Sequence, residues 1–297
     1  MLEPILKILP IIILFIIGFI LKYLNLFKKE DADTFLKLNF YIAIPALIII
    51  SITKIQLQKQ FILFPIIAIL IILATYFISK LALKYLKLDN NSAAVFLIAT
   101  MIMNLGFAVP FVLAFYGEEG IARLSLIDIG NAFMTFTFVY FIACKNNPQN
   151  KTKMLKKIIF SPPLIAVIIA IILNIAKAKI PETATSFLQI IGYMSIPLIM
   201  LSLGIYFSPK LMNPKVIASA IAIRMLFGFL LGYIIIKLFN IQGLNSIIIL
   251  IAASAPIGYN TVTFSSLEKL DIELAATLVS YSIIIGLIII PILLLIL

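Results

Sequence analysis

Histidine is absent from the 297-residue chain, and Cys144 is its only cysteine. A single cysteine excludes a disulfide within the chain and cysteine-based metal clusters, and a chain without histidine cannot form a His-based catalytic triad. Most hydrolase mechanisms are excluded at the same time. We therefore expect no catalytic residue, no metal site and no cofactor.

Charged residues are also scarce, at 12% of the chain against about 25% in a soluble domain. Hydrophobic residues make up 63% and the mean hydropathy is +1.21, so the sequence predicts an all-α polytopic membrane protein. Basic residues outnumber acidic ones by 23 to 12. Because the lysines cluster in short segments between apolar runs, they indicate membrane topology rather than binding to nucleic acid.

Ten segments are long enough to cross a hydrocarbon core of about 30 Å, which takes about 20 apolar residues. The first is too long for a signal-peptide core, and no small-residue cleavage site follows it, so we count it as a span. The predicted spans are approximately Pro4–Leu24, Thr34–Thr53, Phe61–Tyr85, Ser92–Tyr116, Gly120–Ala143, Ile158–Ala176, Thr183–Phe207, Val216–Phe239, Asn245–Leu267 and Ile272–Leu297.

The basic residues of alternate loops set the orientation of these spans. Fifteen fall on one side of the membrane and seven on the other, with Arg224 inside a span. The side with fifteen is predicted to be cytoplasmic, so both termini are extracytoplasmic in a multi-pass protein of the cell inner membrane. The longest polar segment, Lys145–Lys157, is then a cytoplasmic loop.

That central loop separates two sets of five spans that look like copies. YIAIP at residues 41–45 matches YMSIP at residues 193–197 with an offset of 152, and Glu119 matches Asp271 with the same offset. Chance matches between isoleucine-rich segments are the alternative. An odd number of spans per copy places the copies in opposite orientations. The expected domains are a first repeat over 1–144, a connecting loop over 145–157 and a second, inverted repeat over 158–297.

Two predicted spans contain a break near their middle: NLGFAVP at residues 104–110 in the fourth and SAPIGYNT at residues 254–261 in the ninth. Proline removes a backbone donor and glycine permits dihedral angles that a helix excludes, so both segments should unwind. Unwound backbone survives in a membrane only inside protein or beside a wet cavity. We expect Pro110 to start the second half of the fourth span, and Pro256 or Gly258 to start that of the ninth.

The two new half-helices would point their free amides at the middle of the membrane from opposite sides. Each N-terminus carries partial positive charge, so the pair can hold a carboxylate without a charged side chain. The alternative is a pair of structural kinks whose polar residues only fill the breaks. The candidate substrate-binding residues are Asn104, Gly106, Pro110, Pro256, Gly258, Asn260 and Thr261.

Three polar residues inside other spans are candidates for proton or ion coupling. Asp128 lies roughly 12 Å into the fifth span, where an acid is costly and by default functional. Asn131 is one turn further on the same face, and Ser280 and Ser282 stand at the matching place in the tenth span. Arg224 lies at a similar depth in the eighth span; it could pair with Asp128 or extend to the membrane surface. For the small polar residues, the alternative is a role in helix–helix contacts alone.

Two prolines are candidate hinges for a domain motion. Pro45 in the second span and Pro197 in the seventh each stand four residues after a tyrosine. Prolines in membrane helices are often simple kinks, and that is the alternative interpretation.

Together these features resemble the auxin efflux carrier family of secondary transporters. The resemblance covers essentially the whole chain and rests on NLGFAVP in the fourth span, LIDIGN in the fifth, AIRML in the eighth and SAPIGYN in the ninth. It implies two inverted five-span repeats, with spans 4 and 9 broken and crossing, and a scaffold domain that moves against a transport domain. Bacterial members are similar to carriers of small carboxylates such as malate and malonate, whereas plant members carry the indole acid auxin. The chain resembles the compact prokaryotic type, because it lacks a long central loop.

The sequence therefore predicts a secondary transporter of a small organic anion that works by alternating access in the lipid bilayer, with a homodimer as one possible assembly. A sodium-coupled symporter of the bile-acid type on a related fold is the alternative, although it predicts more acidic or amide ligands around the crossing. An intramembrane enzyme would need paired catalytic groups and a channel would need a ring-forming repeat, and neither stands out in the sequence.

Overall fold

The computed structural model describes residues 2–57, 59–144, 161–210 and 212–297, and within these ranges the chain is helical with no β-strand. The predicted central loop, Lys145–Lys157, lies outside the described residues. In chain order the helices are α1 (Leu2–Tyr23), α2 (Lys29–Leu38), α3 (Ile44–Lys54), α4 (Leu63–Leu86), α5 (Asn90–Met101), α6 (Leu105–Met134), α7 (Tyr140–Ala143), α8 (Pro162–Ile175), α9 (Glu182–Tyr193), α10 (Ser195–Tyr206), α11 (Pro214–Ile221), α12 (Gly228–Leu238), α13 (Leu244–Ala253), α14 (Asn260–Leu267) and α15 (Ile272–Ile296).

Several of these helices continue into one another. Three π-helical turns, Asn39–Ala43, Thr135–Val139 and Ala222–Phe227, join α2 to α3, α6 to α7 and α11 to α12. Within the described ranges, seven helices are long and apolar enough to cross a membrane: Leu6–Tyr23, Lys29–Lys54, Gln60–Leu86, Leu105–Ala143, Glu182–Tyr206, Pro214–Leu238 and Ile272–Ile296. For these ranges, the prediction of an all-helical polytopic membrane protein is confirmed.

The count of ten spans stays a prediction, because not every predicted span is a single long helix. Helix α8 has only 14 residues. The fourth predicted span is divided between α5 and α6, and the ninth between α13 and α14. The long helix Leu105–Ala143, with 39 residues, contains the end of the fourth predicted span and all of the fifth.

Gly117 interrupts α6 with a φ of 57° and a ψ of −152°. Glycine adopts such a conformation readily, because it has no Cβ to clash with the backbone. Helical structure resumes at the next residue. The predicted loop between the fourth and fifth spans is therefore reduced to a single residue.

Two aspartates fix where α5 and α15 begin. Asp89 Oδ1 accepts hydrogen bonds from the Asn91 amide at 2.9 Å and the Ser92 amide at 3.1 Å, and Asp271 Oδ1 accepts one from the Leu274 amide at 2.9 Å. Each aspartate thus caps a helix N-terminus. The Ser92 hydroxyl lies 2.7 Å from Asp89 Oδ2 and 2.9 Å from Asp271 Oδ2, and its hydrogen bond is the main cause that lowers the pKa of Asp89. The two helices therefore start side by side.

The helices pack as two bundles. In the first, α1 lies against α10, and α3 lies against α8 and α9; in the second, α4 packs on α5 and α6, and α13 packs on α6 and α12. Glycines set the closest approach in the first bundle, because a Cβ at Gly204 would overlap the Phe15 carbonyl oxygen and one at Gly18 would overlap that of Leu201. Helices α1 and α10 therefore touch backbone to backbone, as small residues allow in membranes. The two bundles meet where α3 and α10 contact α6.

Gly204→Val should push α1 away from α10. We expect it to reduce the free energy of unfolding by about 1–3 kcal/mol, as overpacking does in other cores, and to lower the Tm of the detergent-purified protein. Ala218→Val is the control, because Ala218 is exposed on α11 and such sites tolerate substitution. An equal Tm for the two variants would contradict the close contact of α1 and α10.

Candidate functional site at the paired helix breaks

The two predicted breaks lie against each other. The first separates the end of α5 at Met101 from the start of α6 at Leu105, and Met103 within it forms an isolated antiparallel bridge with Ile257 of the second break. The Asn104 amide donates to the Pro256 carbonyl at 2.9 Å, and the Gly258 amide donates to the Ile102 carbonyl at 3.0 Å. Backbone groups freed by one break are therefore satisfied by the other, as a membrane interior requires.

The Asn104 side chain holds both breaks. Its Oδ1 atom accepts a hydrogen bond from the Phe107 amide at 3.1 Å and so caps α6, while its Nδ2 atom donates to the Ile257 carbonyl at 3.4 Å. A side-chain oxygen at this position satisfies one of the free amides at a helix start. Asn104 thus sets where α6 begins and ties that start to the second break.

The predicted starting residues of the half-helices were wrong. Pro110 lies inside α6, which already begins at Leu105, because the Asn104 cap starts the helix one turn earlier. There the missing amide of proline only leaves the Gly106 carbonyl without its helical donor. Pro256 and Gly258 precede α14, which begins at Asn260, because their backbone groups bond to the first break instead.

Asn131 on α6 clamps the first break. Its Nδ2 atom donates to the Met103 carbonyl at 3.2 Å and its Oδ1 atom accepts from the Met103 amide at 3.3 Å. The same Nδ2 atom donates its other hydrogen to Asp128 Oδ1 at 2.9 Å. Asp128 is half-buried, and a chain of hydrogen bonds connects its carboxyl group to the break. The structure therefore brings Asp128 and Asn131 together with the paired breaks at Met103 and Ile257, which we call the crossing.

Ser282 on α15 gives the second break a matching contact. Its hydroxyl oxygen accepts a hydrogen bond from the Ile257 amide at 3.1 Å. The sequence analysis set Ser280 and Ser282 at the place in the tenth span that matches Asp128 and Asn131; of the two serines, Ser282 contacts the bridge residue Ile257, as Asn131 contacts Met103. Ser280, the other matched serine, accepts instead from the Ser208 amide at 3.1 Å, so it contacts the loop after α10.

Arg224 neither pairs with Asp128 nor reaches the membrane surface. Its side chain is fully buried. The guanidinium Nη2 atom donates to the Ala253 carbonyl at 2.6 Å and the Nε atom donates to the Ala255 carbonyl at 3.3 Å. Both oxygens belong to the end of α13 and the break that follows it, so Arg224 is also part of the crossing.

The other predicted binding residues surround the pair of breaks with different exposure. Gly106 is exposed in the first turn of α6, and a Cβ there would meet only Asn104 Oδ1, at 3.7 Å. Asn260 is half-buried at the start of α14. Thr261 is buried, and its hydroxyl has no hydrogen-bond partner among the residues that the structure describes. Open space is found beside Gly106.

The predicted hinge prolines lie outside this site. Pro45 is in the first turn of α3, directly after the π-helical turn Asn39–Ala43. Pro197 is near the start of α10, which follows Met194 at the end of α9. Both prolines thus follow an irregular turn, and the hinge role stays a prediction.

A polar cluster that the sequence did not indicate joins the two bundles. Glu118, which follows the kink in α6, lies 2.6 Å from Lys54 Nζ of α3 and accepts hydrogen bonds from Gln189 at 3.0 Å and Tyr193 at 3.1 Å, both on α9. Lys54 and Glu118 border a polar cavity of ≈ 510 Å³ that Arg123 also lines. Charged residues at the end of a span are ordinarily in contact with water, so the sequence did not indicate that these side chains bond to one another.

Comparisons with known proteins point to a membrane transporter. A family model described as membrane transport protein matches residues 4–294. The chain belongs to the auxin efflux carrier family. It is 30% identical over 280 residues to an uncharacterized transporter of Methanocaldococcus jannaschii, covering 91% of each chain. It is 27% identical over 292 residues to an uncharacterized transporter of Methanothermobacter thermautotrophicus, covering 96% of this chain and 95% of the relative.

Membership of the auxin efflux carrier family makes this chain a multi-pass membrane transporter rather than an enzyme. The coverage of both relatives extends across the two breaks, so the crossing lies within the shared part of the chain. Neither relative's name states a substrate. The substrate must therefore be inferred from the residues at the crossing.

Asn131→Leu should destabilise the crossing, because the Met103 amide and carbonyl would lose their partner inside the protein. A buried polar group left unsatisfied costs about 1–3 kcal/mol, so the Tm of the detergent-purified protein should fall clearly. Ser125→Ala on the same helix is the control, since the Ser125 hydroxyl bonds only to the Ile121 carbonyl of its own helix. A Tm loss no larger than that of Ser125→Ala would show that the Asn131 contact is dispensable.

Proposed function

We propose that the chain is a secondary active transporter that moves a small organic anion across the cell inner membrane by alternating access. The expected cargo is a carboxylate such as malate or malonate, or an auxin-like weak acid. The observation that carries this proposal is the pairing of the two helix breaks through Met103 and Ile257. In transporters, such broken helices form the substrate site.

The start of α6 is the best-suited place for the carboxylate. Helix N-termini attract anions through free amides and partial positive charge. At α14 the amides of Thr261 and Val262 already bond to the carbonyls of Gly258 and Tyr259. At α6, Gly106 is exposed and has no side chain to cover the backbone at the helix start. We therefore place the carboxylate beside Gly106, next to Asn104 and Asn260.

The proposed topology is ten spans in two inverted repeats, over residues 1–144 and 158–297, with both termini extracytoplasmic. The matched contacts of Asn131 with Met103 and of Ser282 with Ile257 support the repeat. The capping residues Asp89 and Asp271 do not support the repeat, because they begin the fourth and tenth predicted spans, which are not equivalent positions in the two copies. The repeat therefore rests on the crossing and on the sequence matches.

Alternating access would be a displacement of one bundle against the other. We propose that α1–α3 and α8–α10 form the scaffold, that the remaining described helices form the transport domain, and that Pro45 and Pro197 act as hinges in the scaffold. The bonds from Glu118 to Lys54, Gln189 and Tyr193 cross between the bundles. They would have to open whenever the transport domain moves. A homodimer is compatible with this division.

Asp128 is the proposed proton-sensitive residue, acting through Asn131 on the first break. A sodium-coupled symporter of the bile-acid type is the alternative, and it would need several acidic or amide ligands close together. Among the residues that the structure describes, no three acidic, cysteine or histidine side chains group as metal ligands do. This favours a proton at Asp128 over a metal ion held by a cluster of acidic side chains.

Gly106→Val should block binding of the carboxylate, since its side chain would fill the open space beside the start of α6. We expect saturable uptake and counterflow of labelled malate, malonate, succinate or an indole acid in proteoliposomes to fall roughly tenfold or more, the effect of losing about 1.4 kcal/mol of binding. Asn104→Ala should reduce transport similarly, and Ala218→Val serves as the control. If no carboxylate moves in the wild type, the proposed substrate class is wrong.

Asp128→Asn should keep a hydrogen bond with Asn131 while removing the titrating carboxyl group. We expect transport that persists but no longer changes with pH between about 5 and 8, whereas the wild type should be pH-dependent. The measurement is counterflow at a series of symmetrical pH values. An unchanged pH profile in the variant would assign the proton to another group.

A further inference from the structure

A buried arginine lies at the crossing without an acidic partner. The ion pairs found among the described residues join Lys54 to Glu118, Arg123 to Glu119 and Lys210 to Glu273, and none includes Arg224. An arginine keeps its charge in a protein, and burying an unpaired charge in a membrane is costly. Something else at this place must therefore stabilise the guanidinium group.

The stabilising groups are the carbonyls at the end of α13. The last carbonyls of a helix have no donor within the helix, and they form the negative end of its dipole. Arg224 bonds to two oxygens there, those of Ala253 and Ala255. In broken helices of sodium-coupled transporters, carbonyls of this kind coordinate the sodium ion. The guanidinium thus stands where such a cation would bind.

The first break differs from the second in this respect. Its Ile102 carbonyl accepts from the Gly258 amide and its Met103 carbonyl accepts from the Asn131 side-chain amide. Both donors are neutral. A positive charge is therefore built into only one of the two paired breaks in the described part of the chain.

Two local features make room for the guanidinium. Arg224 lies in the π-helical turn Ala222–Phe227, and such turns change the direction of side chains and occur frequently at functional sites. A Cβ at Gly228 would overlap the Ala253 oxygen and lie 2.8 Å from Arg224 Nη2. The glycine therefore permits the close approach of α12 to the end of α13 that the hydrogen bonds need.

We infer that the guanidinium group of Arg224 is a fixed, built-in substitute for a coupling cation at the carbonyls of Ala253 and Ala255. The site takes a small monovalent cation only when the arginine side chain is removed. Arg224 is then a positioning residue that holds the second break and adds positive charge to the bundle that carries the anion. Sodium-independent transport follows from this; that consequence and the role of the charge toward the anion rest on the proposed function.

The occupancy of the site is tested on the purified full-length chain in detergent. Arg224→Ala should lower the Tm by roughly 5–10 °C, and millimolar guanidinium chloride or NaCl should restore part of the loss, whereas choline chloride should not. The wild type should respond equally to the three salts. Arg224→Met is the matched control, because its apolar chain fills the space and leaves no room for an ion.

Rescue of Arg224→Ala by a small cation, without rescue of Arg224→Met, supports the inference. A Tm that neither ion restores, or an equal rescue of both variants, overturns it. Should Arg224→Ala give no folded protein, Gly228→Ala replaces it, because that variant keeps the arginine but displaces its Nη2 atom. A Tm of Gly228→Ala equal to that of the wild type then overturns the inference.

Transport provides the second readout. Wild-type uptake should be the same in sodium, potassium and choline buffers, and Arg224→Ala should become sodium-dependent. A sodium requirement in the wild type overturns the inference. If no organic anion is transported at all, the proposed function fails, and the Tm measurements still decide whether a cation can replace Arg224.

Discussion

The structure depends on one constraint: every backbone group freed where a membrane helix breaks must find a partner inside the protein. The two breaks meet this constraint mainly through each other, by the bonds of Asn104 to Pro256 and of Gly258 to Ile102. Asn131 and Arg224 supply donors to carbonyls that remain. Asn131 and Arg224 are thus buried in the apolar interior where they satisfy the backbone of the two breaks.

The sequence predicted the class of the fold and the places of the breaks, because glycine and proline together inside a long apolar run are seldom compatible with an unbroken helix. It also set Ser280 and Ser282 at the place that matches Asp128 and Asn131. It placed the helix starts wrongly, because the Asn104 cap starts α6 before Pro110 and because the backbone of Pro256 and Gly258 bonds to the first break. The partners of Arg224 could not be predicted, because they are backbone carbonyls, which have no signature in the sequence.

The two breaks of the crossing have similar backbone contacts but different charged side chains nearby. Asn131 and Ser282 hold equivalent backbone positions with neutral groups. Arg224 belongs to one half alone, and Asp128 to the other. The proposed inverted repeat thus carries its acid and its base in different halves, so the surrounding of the proposed anion is asymmetric even though the breaks themselves are similar.

The single-residue turn at Gly117 has a mechanical consequence. It leaves no flexible linker between the helical part that starts at Leu105 and the part that carries Asp128 and Asn131. Asn131 in turn forms a hydrogen bond with Met103, which lies just before the start of α6. The segment from Met103 to Asn131 is thereby closed into a ring by covalent bonds on one side and hydrogen bonds on the other. Such a ring limits the independent movement of the two helical parts on either side of Gly117, so Glu118 and the crossing belong to one connected unit.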